Sequence, residues 1–203
     1  MLDYNVLFEF EEALATYTGA PYVVVTDGCS HSIELCLRYD NVKSCKMSPF
    51  TYISVPMTLH KVGVEFDYLD EDQQTWIGEY QLLGTRIWDS ARRLERNMYR
   101  AGQMQCLSFG NTKPLQLGKA GCILTDDEDA YRKISMMRSD GRDLRIKPWI
   151  NQTYMELGYH YFPTLESVLK GLKLLPETNK VPEFIPYPDC RKINIHARDS
   201  DIK

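Results

Sequence analysis

The residues of this sequence best suited to chemistry are a Gly-Cys-Ser turn, an aspartate, a tyrosine and a lysine. The turn Gly28-Cys29-Ser30 separates an apolar run from a helical pattern, where backbone N–H groups, the helix dipole and the serine hydroxyl could hold a phosphate. Asp89 ends the run GTRIWD, Tyr52 lies in SPFTYISVP, and Lys113 follows the run MQCLSF. The aspartate would act on a cationic partner, and the tyrosine could stack on a planar ligand.

Each of these residues also has a purely structural interpretation. A Gly-Ser turn before a helix is commonly a turn with an N-cap, and Asp89 could likewise cap a following helix. Tyr52 could simply fill space in the core or at the surface, and Lys113 could be a solvated surface cation. Taken one at a time, these residues leave both interpretations open.

The segments around these residues alternate between strand and helix patterns. Helical spacing from Val6 to Tyr17 precedes the run YVVVT at 22–26, which lacks alternation and is typical of a strand covered on both faces. Another helix, with Ile33, Cys36 and Leu37 on one face, follows the turn. Further strands are predicted at 64–69, 84–88, 104–109 and 121–125, and further helices at 53–61, after Asp89, from a Thr125/Glu128 capping box to about Met137, and over 165–172. This alternation predicts an α/β fold, whose ligands bind at the C-terminal ends of parallel strands.

Composition excludes several classes of protein. The 203 residues are 43% hydrophobic and 26% charged, which suits a folded domain with a core and an appendage. A net charge of −4 argues against general binding to nucleic acid or anionic lipid. No apolar run approaches the ~20 residues of a membrane span, and the N-terminus carries acids rather than the cations of a signal peptide, so a cytoplasmic location is expected.

The cysteines and histidines carry no metal signature. The six cysteines include no CxxC pair and the four histidines no HExxH motif, so we expect reduced thiols, mostly in the core, and no structural metal. Residues 176–203 contain four prolines and no strong element, and we expect this tail to be loosely packed.

Five ordered segments together resemble the DegT/DnrJ/StrS family of pyridoxal-phosphate sugar aminotransferases, a branch of the fold type I enzymes. They lie at 10–38, 48–72, 88–94 (WDSARRL), 106–142 and 156–175. The resemblance implies a three-layer, mostly parallel sheet with helices on both faces. Residues 1–175 would form the cofactor-binding large domain, and residues 176–203 a residual C-terminal extension.

The resemblance assigns a role to each candidate residue. Lys113 would bind the cofactor as a Schiff base and move a proton, and Asp89 would keep the pyridine nitrogen protonated. Tyr52 would stack on the ring, and His160 would reach across a dimer to the neighbouring cofactor phosphate. Phosphate anchoring would fall to Gly28, Cys29, Ser30 and Ser108.

The sequence departs from the family pattern at several points. Cys29 replaces a usual threonine, and Arg92 stands where glutamine or histidine usually lies near the phenolic oxygen of the cofactor. His160 replaces an asparagine, and Phe162 an arginine. A strand and helix are missing between LDED and WDSAR, and most of the small C-terminal domain is absent.

The implied function is a compact aminotransferase that moves an amino group from glutamate to a keto-sugar nucleotide by a ping-pong mechanism. It would be a homodimer with shared active sites. Lys113 favours transamination over the related dehydratases, which carry histidine there. The alternative is a non-catalytic homologue that keeps the fold as a binding or regulatory module, suggested by the missing domain, Arg92 and Phe162. An unrelated nucleotide-binding domain lacks support, because neither GxGxxG nor GxxxxGK[ST] follows a strand.

Overall fold

The computed structural model describes residues 4–178, 184 and 186–193. The five helices in this part of the chain are α1 Asn5–Thr18, α2 Cys29–Tyr39, α3 Ser54–Val62, α4 Glu128–Arg138 and α5 Leu165–Leu174. The seven strands are β1 Tyr22–Thr26, β2 Ser44–Met47, β3 Glu65–Tyr68, β4 Tyr80–Gln81, β5 Ile87–Asp89, β6 Met104–Ser108 and β7 Gly121–Thr125. Short 3-10 turns lie at Trp149–Asn151, Leu175–Glu177 and Cys190–Lys192.

The main sheet has five strands in the order β1-β7-β6-β5-β4. Strands β1, β6 and β5 run in one direction, and β7 and β4 run against them. Strands β2 and β3 form a separate parallel pair, which a bridge between Lys46 and Leu83 joins to the segment after β4. Because β1, β5 and β6 point the same way, their C-terminal ends meet at one edge of the sheet.

Helices cover both faces of the sheet, as predicted. Side chains of a strand alternate between faces, so Val23 and Val25 of β1 pack towards α1 and α5, and Val24 packs towards α2, α3 and α4. The unalternating run YVVVT is therefore buried on both sides. The first core includes Leu7, Phe10, Leu14, Leu107, Leu124 and Val168, and the second Ile33, Leu37, Leu59, Met104, Ile123 and Ile134. The α/β fold class is confirmed.

The free edge of β1 is covered by a buried ion pair. The Arg138 guanidinium binds the Glu11 carboxylate and donates to the Val25 carbonyl at 2.7 Å. The Val25 N–H donates to Glu11 Oε1 at 2.9 Å. Two residues later, the Asp27 N–H donates to the Tyr161 carbonyl at 2.8 Å. Side chains of α1 and α4 thus satisfy backbone groups that a further strand would otherwise pair.

Two predicted helix features are wrong. No helix follows Asp89: residues 91–100 contain two short turns, and the largely buried Glu79 carboxylate binds Arg93 and Arg100. Helix α4 is capped by Asp127, whose side chain accepts the Ala130 N–H at 3.0 Å. The predicted Thr125 cap instead accepts the Asp127 N–H at 3.1 Å, because the strand β7 still includes that threonine.

The strand predicted at 84–88 begins later, at Ile87. Gly84 adopts φ +91°, and the Thr85 N–H donates to the Leu82 carbonyl at 3.1 Å, so these residues turn the chain between β4 and β5. Strand β4 was not predicted from the sequence.

The described part of the C-terminal segment is packed, contrary to the loose tail that we expected. The Cys190 N–H donates to the Pro49 carbonyl at 2.8 Å, and Asp189 bridges to Phe50. The Cys190 thiol donates to the Thr51 carbonyl at 3.4 Å and is buried. The rest of the tail, 179–183, 185 and 194–203, lies outside the described residues.

The cysteines and the helices of the described residues bear on two expectations from the sequence. All six cysteines are unpaired, five of them buried and Cys29 half-buried, as predicted for reduced core thiols. None of the helices in the described ranges is both long enough and apolar enough to cross a bilayer.

Candidate functional site

Eight of the nine predicted site residues line one cleft of about 630 Å³ at the C-terminal ends of β1, β5 and β6. They are Gly28, Cys29, Ser30, Tyr52, Asp89, Arg92, Ser108 and Lys113. Asp89 and Ser108 are the last residues of β5 and β6, and the Gly-Cys-Ser turn lies between β1 and α2. The parallel course of three strands therefore brings together residues that lie up to 85 positions apart, from 28 to 113.

The turn at 28–30 is held close to the sheet by a glycine on β7. A Cβ on Gly121 would lie 2.6 Å from the Cys29 nitrogen, 2.6 Å from the Leu107 carbonyl oxygen and 2.8 Å from the Gly28 carbonyl carbon. Only glycine permits this approach. Helix α2 begins at Cys29, and its first residues line the cleft. The first N–H groups of a helix have no partner within the helix, so they can bind a ligand there.

Hydroxyl groups supplement the backbone donors at this turn. Ser30 Oγ donates to Ser54 Oγ at 2.7 Å, and Ser108, the last residue of β6, lines the same cleft. Ser54 begins α3 and was not identified from the sequence. Hydroxyl and amide donors gathered at a helix N-terminus suit a phosphate.

Cys29 directs its side chain away from such a phosphate site. Its thiol donates to the Cys106 carbonyl at 3.4 Å and lies 4.0 Å from Asp89 Oδ1. Burial, followed by the nearby Asp89 charge, raises the pKa of the Cys29 thiol well above its usual value. The group is therefore a neutral thiol beneath the cleft.

Asp89 is a buried carboxylate, 6% exposed, at the floor of the cleft. Its Oδ1 accepts the Ala91 N–H at 2.9 Å, and the Tyr80 hydroxyl also interacts with it. Burial raises the pKa of Asp89, and the Ala91 N–H, Lys113 and Tyr80 partly oppose that rise. A cation bound here, such as a protonated pyridine nitrogen, would offset the same burial.

Tyr80 supports this carboxylate from below. Its hydroxyl lies 2.5 Å from Thr51 Oγ1. Burial and then the Asp89 charge raise the pKa of Tyr80 well above its usual value, so it remains a protonated donor.

Lys113 lies in a tight loop between β6 and β7. Its N–H donates to the Gly110 carbonyl at 3.0 Å, and the Phe109 N–H donates to the Ala120 carbonyl at 2.8 Å, which closes the loop. Burial lowers the pKa of Lys113; the Asp89 charge raises it and the Arg92 charge lowers it. A lowered pKa increases the fraction of neutral amine, the form that attacks a carbonyl.

Three side chains stand at the mouth of the cleft. Tyr52 is 58% exposed, and its ring centroid lies 6.3 Å from that of Tyr187 at an interplanar angle of 55°. The Arg92 guanidinium carbon lies 4.2 Å from the centroid of the Tyr187 ring. Tyr187 comes from the C-terminal segment and was not identified from the sequence, because it is followed by a proline in a stretch without periodicity.

His31 also lines the cleft and was missed. Its Nδ1 lies 2.6 Å from Asp27 Oδ1, and its ring stacks on Tyr161 with centroids 3.7 Å apart. The only sequence signal was its position directly after the turn. Asp27 and Lys119, whose charged atoms are 3.5 Å apart, line the same wall.

His160 is the one predicted site residue outside the cleft. Its side chain is 76% exposed, and its Nδ1 lies 3.0 Å from Asp140 Oδ1. Phe162, where the resemblance led us to expect arginine, packs against the His160 ring with centroids 4.5 Å apart. The predicted role of His160 concerns a neighbouring chain and stays a prediction.

The described residues, 4–178, 184 and 186–193, contain no group of three His, Cys, Asp or Glu side chains placed to hold a metal ion.

A family model for the DegT/DnrJ/EryC1/StrS aminotransferase family matches residues 2–92 and 83–162. The chain belongs to this family. No curated protein sequence matches it significantly. The family match confirms the resemblance inferred from five sequence segments.

Several solved structures share the fold at low sequence identity. A putative sugar aminotransferase from Streptococcus pneumoniae, in its PMP form, is 16% identical with a TM-score of 0.70, over 85% of this chain and 59% of that one. The Helicobacter pylori aminotransferase PseC, involved in the biosynthesis of pseudaminic acid, is 16% identical with a TM-score of 0.69, over 85% and 58%. The dehydratase ColD with bound GDP-perosamine is 15% identical with a TM-score of 0.68, over 86% and 61%. The chain thus spans about 60% of the length of these structures.

Proposed function

We propose that this chain is a pyridoxal-phosphate-dependent aminotransferase that moves an amino group from glutamate to a keto-sugar nucleotide. The observation that carries the proposal is that Lys113, Asp89 and the Gly28-Cys29-Ser30 turn line one cleft. Family membership and the names of the similar structures support the substrate class. The reaction would proceed in two halves, with the donor leaving before the sugar enters.

The cofactor fits the residues present. Ser30, Ser108 and the N–H groups at the start of α2 would hold its phosphate, and Tyr52 would cover one face of its ring. When bound, it supplies an electron sink for the carbon that loses a proton. Asp89 would keep a proton on the ring nitrogen, because a buried carboxylate gains most from a cationic partner.

Lys113 would act as both attachment point and proton carrier. Its Nζ is the nucleophile, and burial already lowers the pKa of this amine. The Lys113 amine, once released by an amino substrate, would take the proton from the substrate carbon and pass it to carbon C4′ of the cofactor. A lysine here favours transamination over dehydration, although the fold itself is shared with a dehydratase.

The first test is covalent binding of the cofactor. Purified protein mixed with pyridoxal phosphate should develop the visible absorption band of a lysine-bound cofactor, and Lys113→Ala should abolish it. Lys119→Ala is the matched control, because Lys119 lines the same cleft but its side chain is 80% exposed. Absence of the band in the wild-type protein would refute the proposal.

A binding or regulatory role is the second candidate, because the chain spans only about 60% of the compared structures. Glutamate separates the two functions. Loss of the band with formation of pyridoxamine phosphate and 2-oxoglutarate indicates an aminotransferase, whereas a stable band indicates a binding module.

We also propose that the site is completed in a homodimer, where His160 would reach the cofactor phosphate of the partner. Light scattering that shows only monomers at working concentrations would remove this role for His160.

A further inference from the structure

The C-terminal segment 186–193 is fastened across the mouth of the cleft. The Tyr187 N–H donates to Gln74 Oε1 at 2.9 Å, and the Tyr187 ring lies 5.8 Å from that of Trp76. At the other end, Cys190 binds the Pro49 carbonyl at 2.8 Å and is buried. Fixed at both ends, the segment holds the ring of Tyr187 over the cleft.

Tyr187 in turn positions the Arg92 guanidinium. The guanidinium carbon lies 4.2 Å from the ring centroid, within the range of a cation–π contact. Burial raises the pKa of Tyr187, and the Arg92 charge opposes this rise. Arg92 also hydrogen-bonds the Tyr187 side chain, which further fixes the guanidinium beside the ring.

The charge of Arg92 acts on the reacting groups. Arg92 lines the same cleft as Asp89 and Lys113, and its charge contributes to lowering the pKa of both groups. In an α-amino acid the carboxylate carbon is two bonds from the amino nitrogen. A group that binds that carboxylate must therefore lie beside the amine that the substrate displaces, here Lys113. The phosphates of a sugar nucleotide are many bonds from the reacting carbon and fit this place less well.

We propose that Arg92 and Tyr187 form a subsite for the α-carboxylate of the amino-acid donor, with Arg92 binding the carboxylate and Tyr187 positioning Arg92. This inference rests on the proposed aminotransferase function and adds the group that selects the donor. A guanidinium and a carboxylate are both planar and can pair through two parallel N–H···O bonds, which gives orientation as well as affinity.

The test compares two amines that differ only in the proposed recognition element. α-Methylglutamate has an α-carboxylate, and 4-amino-4-methylpentanoate carries a methyl group in its place; neither has the proton that transamination removes. Each is titrated into the full chain loaded with pyridoxal phosphate, and the initial spectral change of the cofactor gives a dissociation constant without turnover. Hydrogen exchange of residues 186–193, with and without the amine, gives a second readout.

Wild-type protein should bind α-methylglutamate about 10- to 100-fold more tightly than 4-amino-4-methylpentanoate, as expected for a charge-assisted pair. Arg92→Gln should remove this preference and keep the cofactor band. Tyr187→Leu should reduce the preference several-fold, and Tyr187→Phe should retain most of it because the ring remains. α-Methylglutamate should also slow hydrogen exchange in residues 186–193 of the wild-type protein but not of Arg92→Gln.

Arg96→Gln is the matched control, because its guanidinium carbon lies 4.6 Å from the Tyr17 ring and neither residue lines the cleft. It should keep the full preference. If Arg92→Gln also keeps it, or if the wild-type protein shows none, the subsite is wrong while the proposed function stands. If the wild-type cofactor band never forms, the proposed function fails and this inference fails with it.

Discussion

Gly121 is the residue whose enlargement should most directly separate fold from cofactor binding. A methyl group there would lie 2.6 Å from the Cys29 nitrogen and the Leu107 carbonyl oxygen and 2.8 Å from the Gly28 carbonyl carbon. All three atoms are backbone, so no flexible side chain can yield. Overpacking a core costs about 1–3 kcal/mol, and we expect Gly121→Ala to lie near 3 kcal/mol because the whole turn at 28–30 must shift.

The assay is urea unfolding of the apoprotein, followed by titration of the folded variant with pyridoxal phosphate. Displacement of the turn should weaken cofactor binding about tenfold, roughly the loss of one charge-assisted hydrogen bond. Gly110→Ala is the matched control, because the nearest atom to its Cβ would be Ser108 Oγ at 3.7 Å, an ordinary contact. If Gly121→Ala loses less than about 0.5 kcal/mol, the steric argument for this glycine is wrong.

Three further predictions concern buried charge and helix ends. Arg138→Met leaves the Glu11 carboxylate buried without its cation, so the free energy of unfolding should fall by about 3–5 kcal/mol in urea titrations; a loss below 1 kcal/mol would count against the pair. Burial raises the pKa of Asp89 in the folded state, so its deprotonation opposes folding above that pKa. The Asp89→Asn apoprotein should therefore be more stable than wild type at pH 7, and urea midpoints measured at descending pH should converge as the carboxyl becomes protonated; a difference independent of pH would contradict this. Asp127→Ala removes the side-chain acceptor of the Ala130 N–H, so the free energy of unfolding should fall by about 1 kcal/mol. An unchanged thermal unfolding midpoint would contradict this role of the cap.

The parts of the fold that the sequence predicts are those governed by local pattern. Unbroken apolar character at 22–26 predicted a strand buried on both faces, and β7 at 121–125 was predicted with its observed bounds. The turns at 91–100 could not be predicted, because they depend on Glu79, whose carboxylate is placed by β4 and draws two arginines from a distant stretch. Strand β4 itself has two residues, too few to give a period.

The candidate site divides along a similar line. Residues at the ends of strands, such as Asp89, have positions set by the sheet, and the structure brings eight of the nine predicted residues to one cleft. Tyr187 is brought to the cleft by backbone contacts of its neighbours with Pro49 and by Gln74, and neither contact has a signature in the sequence. The thiol direction of Cys29 also depends on packing, here against β6, and not on its place in the turn.

The ion pair of Glu11 and Arg138 has a consequence for association between molecules. Strand β1 is the last strand of the main sheet, and an exposed edge strand is a template on which another chain can add by backbone hydrogen bonding. Here the outward N–H of Val25 is bound by Glu11 and its carbonyl by Arg138. The Asp27 N–H is bound by the Tyr161 carbonyl. Side chains thus close this edge against strand addition, so loss of the pair would expose the protein to edge-to-edge aggregation as well as to unfolding.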